Sequence, residues 1–243
     1  MAHSASAITD SRFGFESRKP GLAELYREWY QLQLRYLAEV RGEILELGSG
    51  AGFIQEVIPT ARTSELLPCK GVDISLNAFE VGDRFSDKLS NLLMANVFHH
   101  ICDATDFLSS ASKALVPGGR LIMIEPWLNA WSTFCYRLVG HEPLVPDQSG
   151  WSFASSDPLF DSNQAQAWIV FGRDKLKFKQ AFPEFKVVTL RPLMPFSYLL
   201  SGGHSVTFGL SAKGIKMCRA LERRSSLDRR FGMFALIVVE KIS

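Results

Sequence analysis

The chain has 243 residues, 47% of them apolar and 21% charged, with a formal net charge of +2. That is length for one ordinary domain with an elaboration, and the composition of a globular protein able to bury a full core. So small a positive charge gives no ground for a nucleic-acid partner. Four cysteines, Cys69, Cys102, Cys135 and Cys218, stand apart with neither a C-x-x-C pair nor zinc-like histidine spacing. They read as small buried hydrophobes of a reducing compartment, and the spacing calls for no metal. The start, Met1-Ala-His-Ser, lacks the basic-then-apolar pattern of a secretory signal, and the longest apolar run, near Phe234–Val239, is too short to span a membrane. A soluble, cytoplasmic protein is the expectation.

Residues 1–19 are polar without a period and read as a loose arm. From Gly21 to Val40 the residues Leu22, Leu25, Tyr26, Trp29, Leu32, Leu34, Tyr36 and Leu37 recur at roughly helical spacing, predicting an amphipathic helix that ends near Gly42. Ile44, Leu45 and Leu47 then form a short buried strand. Gly48, Gly50 and Gly52 alternate through a tight turn, and Phe53–Ile58 reads as the opening of a helix stopped by Pro59. A strand, a bare turn and a helix N-terminus together gather unpaired N–H groups and a positive dipole end. Backbone without Cβ atoms can also lie flat against a ligand. Phe53 stands where a dinucleotide fingerprint needs its third glycine, which disfavours a nicotinamide enzyme, and no Lys-Ser/Thr follows to make a Walker loop.

Further strands are predicted at Thr60–Glu65, Val72–Ile74 and Leu92–Met94. A helix over Ala104–Leu115 leads through Val116-Pro-Gly-Gly-Arg120 into a fifth strand, Leu121–Glu125. From Pro126 to about Phe185 the chain leaves the sheet in an insertion rich in aromatics, Trp127, Trp131, Trp151, Trp168 and Phe171 among them. These need a surface, and a cap over the open sheet edge is the expectation, with an aromatic mini-core as the plainer reading for most of them. Arg137, His141 and Glu142 are its polar candidates for acceptor contact. Phe185–Leu190 and Met233–Glu240 give the last two strands. Between them Lys213–Arg224 reads as a helix with Ile215, Cys218 and Leu221 on one side and Lys213, Lys216, Arg219 and Arg223 on another, so peripheral contact with an anionic membrane stays open beside a plain solvated face.

The E-x-G-x-G-x-G turn, the Leu92-Leu-Met-Ala-Asn-Val-Phe-His-His100 segment and the Pro-Gly-Gly-Arg turn into a strand ending Glu125-Pro126 occur in the order seen in one family. In this the chain resembles the class I S-adenosylmethionine-dependent methyltransferases, in their small-molecule (type 11-like) branch, over residues 43–126. The resemblance implies an α/β, Rossmann-like seven-stranded sheet, mostly parallel with a reversed C-terminal edge hairpin, helices on both faces, and the aromatic insertion as a cap. One domain over 1–243 is expected: arm and helix 1–42, cofactor core 43–125, cap 126–185, and C-terminal strands with a helix 186–243. The implied cofactor is S-adenosyl-L-methionine. Glu46 would hold its ammonium, and Gly48, Ser49, Gly50, Gly52 and Phe53 would form the turn beneath it. A carboxylate ending the second strand would take the ribose hydroxyls. Glu65 and Asp73 compete for that post, and the short distance from Asp73 to the fourth strand favours Glu65. Asn77 and Ala78 fall where the family has Asp-Ala against adenine. Ala95, Asn96 and Val97 would lie near the transferable methyl, at the carboxyl end of a parallel strand.

His99, His100 and Glu125 are the implied catalytic candidates, the histidines as proton acceptors and Glu125 as an orienting acid. Each also has a structural reading, as a strand-end cap or a loop anchor. Asn77 and Asn91 replace acids of the family pattern, which keeps a non-catalytic S-adenosylmethionine- or S-adenosylhomocysteine-binding module as the alternative. A small-molecule acceptor is implied, apolar or linked to a lipid or glycan, with no nucleic acid and an undetermined oligomeric state.

Overall fold

The computed structural model describes residues 18–50, 53–139, 142–157, 159, 161–203 and 209–243. Seven strands form one sheet: β1 Glu43–Leu47, β2 Ala61–Glu65, β3 Ile74–Ser75, β4 Leu89–Ala95, β5 Leu115–Pro126, β6 Phe185–Leu193 and β7 Phe234–Lys241, in the order β3-β2-β1-β4-β5-β7-β6. Strands β1 to β5 pair in parallel, whereas β7 runs antiparallel to both β5 and β6. The reversed edge hairpin matches the expectation, and the chain passes from β2 to β3 without a helix between them.

Alternation along the central strands sorts their side chains to opposite faces. Leu92, Met94, Leu121, Met123, Ile237 and Val239 pack on one face, with α2 (Ala104–Ala114) over them. Leu93, Ile122, Ile124, Leu236 and Val238 pack on the other, beneath α1 (Pro20–Leu34). Because helices cover both faces, these strands read as unbroken apolar runs rather than alternating ones. Pro20 starts α1 where a missing N–H costs nothing. Asp103 caps α2 by accepting from Thr105 N and Asp106 N.

Four expectations change. First, α1 stops at Leu34, short of Val40, because the chain beyond it is fastened to the sheet. Asn91 accepts from Ala38 N at 2.7 Å and donates to Ala38 O at 3.4 Å, while Arg120 donates to Tyr36 O at 3.0 Å. Second, the glycine turn opens no α-helix, only a 3₁₀ turn at Ile54–Glu56. Pro59 leaves too little chain for more, so the dipole argument for this site falls.

Third, the insertion is not a cap throughout, and several of its aromatics follow the plainer reading and pack as core. Trp151, Phe171, Phe178 and Phe182 are buried together with Phe98 and Phe107 on the α2 face. Here it fills the place of a crossover helix between β5 and β6. Fourth, in the C-terminal helix (Ala212–Arg224) Leu221 is 64% exposed and Arg219 is 1% exposed, the reverse of the sides assigned from spacing. Three carboxylates draw the guanidinium inward, as described below. Of the cysteines only Cys135 is buried, the other three being half-buried. Among the described residues no helix is long and apolar enough to cross a membrane.

Candidate functional site

β1, β2, β4 and β5 end at the same edge of the sheet, and the segments leaving those ends touch one another. After β1 the chain turns through Gly48 (φ +65°) and Gly50 (φ +46°), both left-handed conformations that suit glycine. A Cβ on Gly48 would stand 2.7 Å from Val97 Cγ2, so this turn packs directly on the loop after β4. A Cβ on Gly50 would meet nothing closer than Glu65 Oε1 at 3.7 Å, leaving that backbone bare. Ser49 N donates to Ser64 O at 2.9 Å and Ser64 Oγ to Glu46 O at 2.7 Å, which clamps the turn across the β1–β2 ends. Gly50 N donates to Glu65 Oε1.

Glu46 and Glu65 are both buried at this edge. Asp73, the rival of Glu65, is engaged elsewhere: its Oδ2 accepts from Thr63 N at 2.8 Å, Thr63 Oγ1 at 2.9 Å and Gln55 Nε2 at 3.0 Å. The bonds from Thr63 hold its carboxyl below the usual aspartate range. It fastens the approach to β3 onto β2. Asn77 Oδ1 accepts from Phe79 N and so caps the 3₁₀ turn Ala78–Glu80, leaving its amide nitrogen as the group to offer a ligand. Phe53 lies edge-on to Tyr30, with Arg27 over its face, so its ring belongs to the α1 side of the edge. Asn91 sits inside β4 beside Ala38, far from the carboxyl end, and its departure from the family pattern concerns the fold. Gly52 and His141 lie outside the described residues.

Ala95 ends β4 and is buried, and Asn96, just beyond it, adopts φ +62°. The next three amides close on one side chain. Glu125, fully buried at the end of β5, accepts from Val97 N at 2.7 Å and Phe98 N at 2.8 Å, with His99 N at 3.4 Å. His99 Nδ1 lies 2.8 Å from Glu125 Oε2. Glu125 thus anchors the post-β4 loop, the structural reading kept open for it.

His99 is 1% exposed, and its Nε2 faces Glu142 Oε2 at 3.3 Å. Burial works against its charge, but the bonds and fields of Glu125 and Glu142 outweigh that and raise it to about 9. Glu142 is pushed upward by burial, yet the bond and charge of His99 bring it down to about 2. Burial, followed by the charge of His99, lowers His100 to about 4. His100 Nδ1 bonds the carbonyl of Asp161 at 3.1 Å. Donating there, the neutral ring keeps its lone pair on Nε2.

Of the cap's polar candidates, Glu142 joins this cluster and Arg137 is exposed on α3 (Ala130–Val139). Sequence reasoning passed over Tyr26. Burial, then the fields of Tyr198, Glu46, Glu125 and Glu142, raise its phenol well above the usual tyrosine range. Its position on the buried stripe of α1 was legible, but not that the stripe passes the sheet edge.

A seven-stranded sheet of this order, with a glycine turn after β1 and a reversed final hairpin, is the fold of the class I S-adenosylmethionine-dependent methyltransferases. A methyltransferase of Archaeoglobus fulgidus superposes with a TM-score of 0.56 at 15% identity, covering 94% of this chain and 99% of its own. A possible histamine N-methyltransferase of Thermotoga maritima gives 0.53 at 19% identity, covering 97% and 99%. Geranyl diphosphate C-methyltransferase of Streptomyces coelicolor gives 0.52 at 13% identity, covering 98% and 87%. No protein-family model and no curated protein sequence matches the chain.

Proposed function

We propose that the protein transfers a methyl group from S-adenosylmethionine to a small-molecule acceptor. One observation carries the reading. A bare backbone turn, two buried carboxylates on the ends of adjacent strands, and the loop after β4 all meet at the carboxyl edge of a class I methyltransferase fold. The donor set suits a ligand with an ammonium at one end and a ribose diol in its middle. Glu46 would hold the ammonium, Glu65 the ribose hydroxyls, Asn77 an adenine nitrogen, and Gly48–Gly50 the flat run between them. Ala95, Asn96 and Val97 would border the reacting methyl.

When bound, this cofactor supplies an already activated sulfonium methyl. The chain then has to hold the acceptor in line with it and keep the space dry. Positioning of that kind is worth on the order of 7–11 kcal/mol. His99 and Glu125 serve this by fixing the post-β4 loop, since both are closed to solvent. Of the candidate acid–base groups only His100 retains open surface and a free lone pair, and a base is needed only for an acceptor that arrives protonated.

The acceptor is read as small and largely apolar, or carried on a lipid or glycan. A charge of +2 offers no track for a nucleic-acid backbone, and one similar structure was solved with the isoprenoid geranyl diphosphate. Calorimetry with S-adenosylhomocysteine, followed by mass-shift assays over phenol, quinone, isoprenoid and glycolipid panels, tests both parts. Binding together with methylated product supports the enzyme. Absence of binding, or turnover confined to nucleic acid or protein, rejects it.

The second reading, a binding module without turnover, rested on Asn77 and Asn91. With Asn91 committed to Ala38, only Asn77 still favours it, and binding without product over the whole panel would establish it.

A further inference from the structure

We propose that His99, His100 and Glu142 form a binding site for a divalent transition metal, zinc being the best match, which stitches the insertion to the loop after β4. Their ligand atoms lie within 4.8 Å of one another, although Glu142 is far along the chain from the two consecutive histidines. Each histidine is held at its Nδ1 by an acceptor, His99 by the Glu125 carboxylate at 2.8 Å and His100 by the Asp161 carbonyl at 3.1 Å. Clamping Nδ1 fixes the ring and leaves Nε2 for the metal, which is how histidine ligands are ordinarily supported.

The second observation is a buried ring nitrogen that faces a carboxylate. His99 Nε2, in a side chain 1% exposed, pairs with Glu142 Oε2 at 3.3 Å without a well-aligned hydrogen bond. Once the imidazole gives up its proton, such a pair offers one nitrogen and one oxygen to a single ion. The spacing matches one kind of ion. Zinc bonds of about 2.0–2.2 Å to nitrogen and oxygen, opened to a tetrahedral angle, set neighbouring donors roughly 3.3–3.5 Å apart. His99 Nε2 and Glu142 Oε2 stand 3.3 Å apart, so these two donors already span one edge of such a site. The third, from His100, lies within 4.8 Å of the other two.

Two imidazoles and one carboxylate are a donor set that zinc uses where it keeps a fourth position for water or substrate. Magnesium and calcium, which prefer oxygen, fit it poorly. The site shares the edge of the sheet with the proposed methyl-transfer pocket, yet metal binding stands or falls independently of turnover.

The test uses the full chain stripped with chelator, then titrated with zinc and, in parallel, with cobalt(II) as a spectroscopic probe. One equivalent of zinc by elemental analysis is expected, with visible cobalt d–d bands of a tetrahedral nitrogen–oxygen site. His100→Ala and Glu142→Gln, which leave the His99–Glu125 contact in place, should each weaken binding by at least roughly 10- to 100-fold, judged from what loss of a mere supporting group costs. Their folding is checked by circular dichroism and by S-adenosylhomocysteine affinity. Absence of tight zinc, affinity in both variants unchanged from the wild type, or cobalt spectra dominated by thiolate charge transfer from the free cysteines would each overturn the proposal.

Discussion

At the scale of single residues, the contest between Glu65 and Asp73 has a clear experimental form. Gly50 N donates to Glu65, which holds this carboxylate at the turn where a ribose would lie. Glu65→Gln keeps an acceptor for Gly50 N and removes the charge a ribose hydroxyl would meet. Losing one charge-assisted hydrogen bond of about 1.5–3 kcal/mol weakens S-adenosylhomocysteine roughly 10- to 100-fold. Asp73→Asn should leave affinity within about twofold, because its oxygen serves Thr63 and Gln55. Calorimetry on both variants decides, and the opposite ranking would move the ribose site to Asp73.

Asn96 offers a second residue-scale prediction. Its φ of +62° is tolerated by Asn and natural for Gly, but strained for Ala. Asn96→Ala should lose roughly 1 kcal/mol or more in urea unfolding, while Asn96→Gly stays near the wild type. If Asn96→Gly nevertheless loses cofactor affinity, the side chain itself is at the site.

At the scale of elements, the clearest device is the guanidinium of Arg219 in α4 (Ala212–Arg224). It donates to Glu28 of α1 at 2.8 Å, to Asp228 at 2.8 Å in α5 (Leu227–Phe231), and to Glu222 on its own helix. Glu222 in turn accepts from Phe196 N and Ser197 N at 2.8 Å, and Asp228 from Met194 N at 2.9 Å. One buried cation therefore ties both C-terminal helices and the exit of β6 to α1, the helix that carries Tyr26 to the sheet edge. Removing one partner of a buried ionic network typically costs 3–5 kcal/mol, because the remaining charges stay desolvated. Arg219→Ala is expected to fall in that range by chemical denaturation, and Arg219→Lys to recover only part, lacking the planar fork. A loss below about 1 kcal/mol would show the network to be dispensable.

How far the chain could be read in advance also divides by element. Strands β4, β5 and β7 were plain because both their faces are covered, so their central runs, Leu92–Ala95, Leu121–Ile124 and Phe234–Val239, are unbroken apolar stretches. The glycine turn announced itself because bare backbone is rare at a strand end. The 3₁₀ turn after Phe53 was misread as a helix, since Phe53, Ile54 and Val57 fit a helical period and only the nearness of Pro59 spoke against it. Arg219 and Leu221 were assigned to the wrong sides because a helical wheel cannot foresee three acids gathering from distant segments. The His99–Glu142 contact was invisible for the same reason.

At the scale of the whole molecule, acid response and ligand response probe different ends of the fold. Asp174, just before the helix Lys175–Ala181, takes both Arg173 nitrogens and the indole N–H of Trp151, and the bond to Arg173 above all holds it at about 2. A carboxylate whose folded value lies below its unfolded value contributes stability above the latter. That contribution is lost as pH falls from 3.8 through about 2. Asp174→Asn should therefore flatten the acid limb of the urea midpoint over that window, with Trp151 fluorescence as the readout.

Cofactor binding should act at the carboxyl edge alone. Saturation at about 100 times Kd adds roughly 2.7 kcal/mol to the native state. In a domain of this size that raises Tm by roughly 5–10 °C. The same coupling has to appear in amide exchange where the turn, β2 and the loop after β4 meet. Slower exchange is expected at residues 46–50, 64–65 and 95–98, whose amides either face the proposed pocket or are pinned by Glu65 and Glu125. The opposite edge, where Lys186 pairs with Glu240 and Ile242 N reaches Glu184, should exchange at an unchanged rate. Protection spread evenly over both edges would mean global stabilisation by a ligand bound elsewhere, and protection confined to the β6–β7 edge would remove the glycine turn from the site.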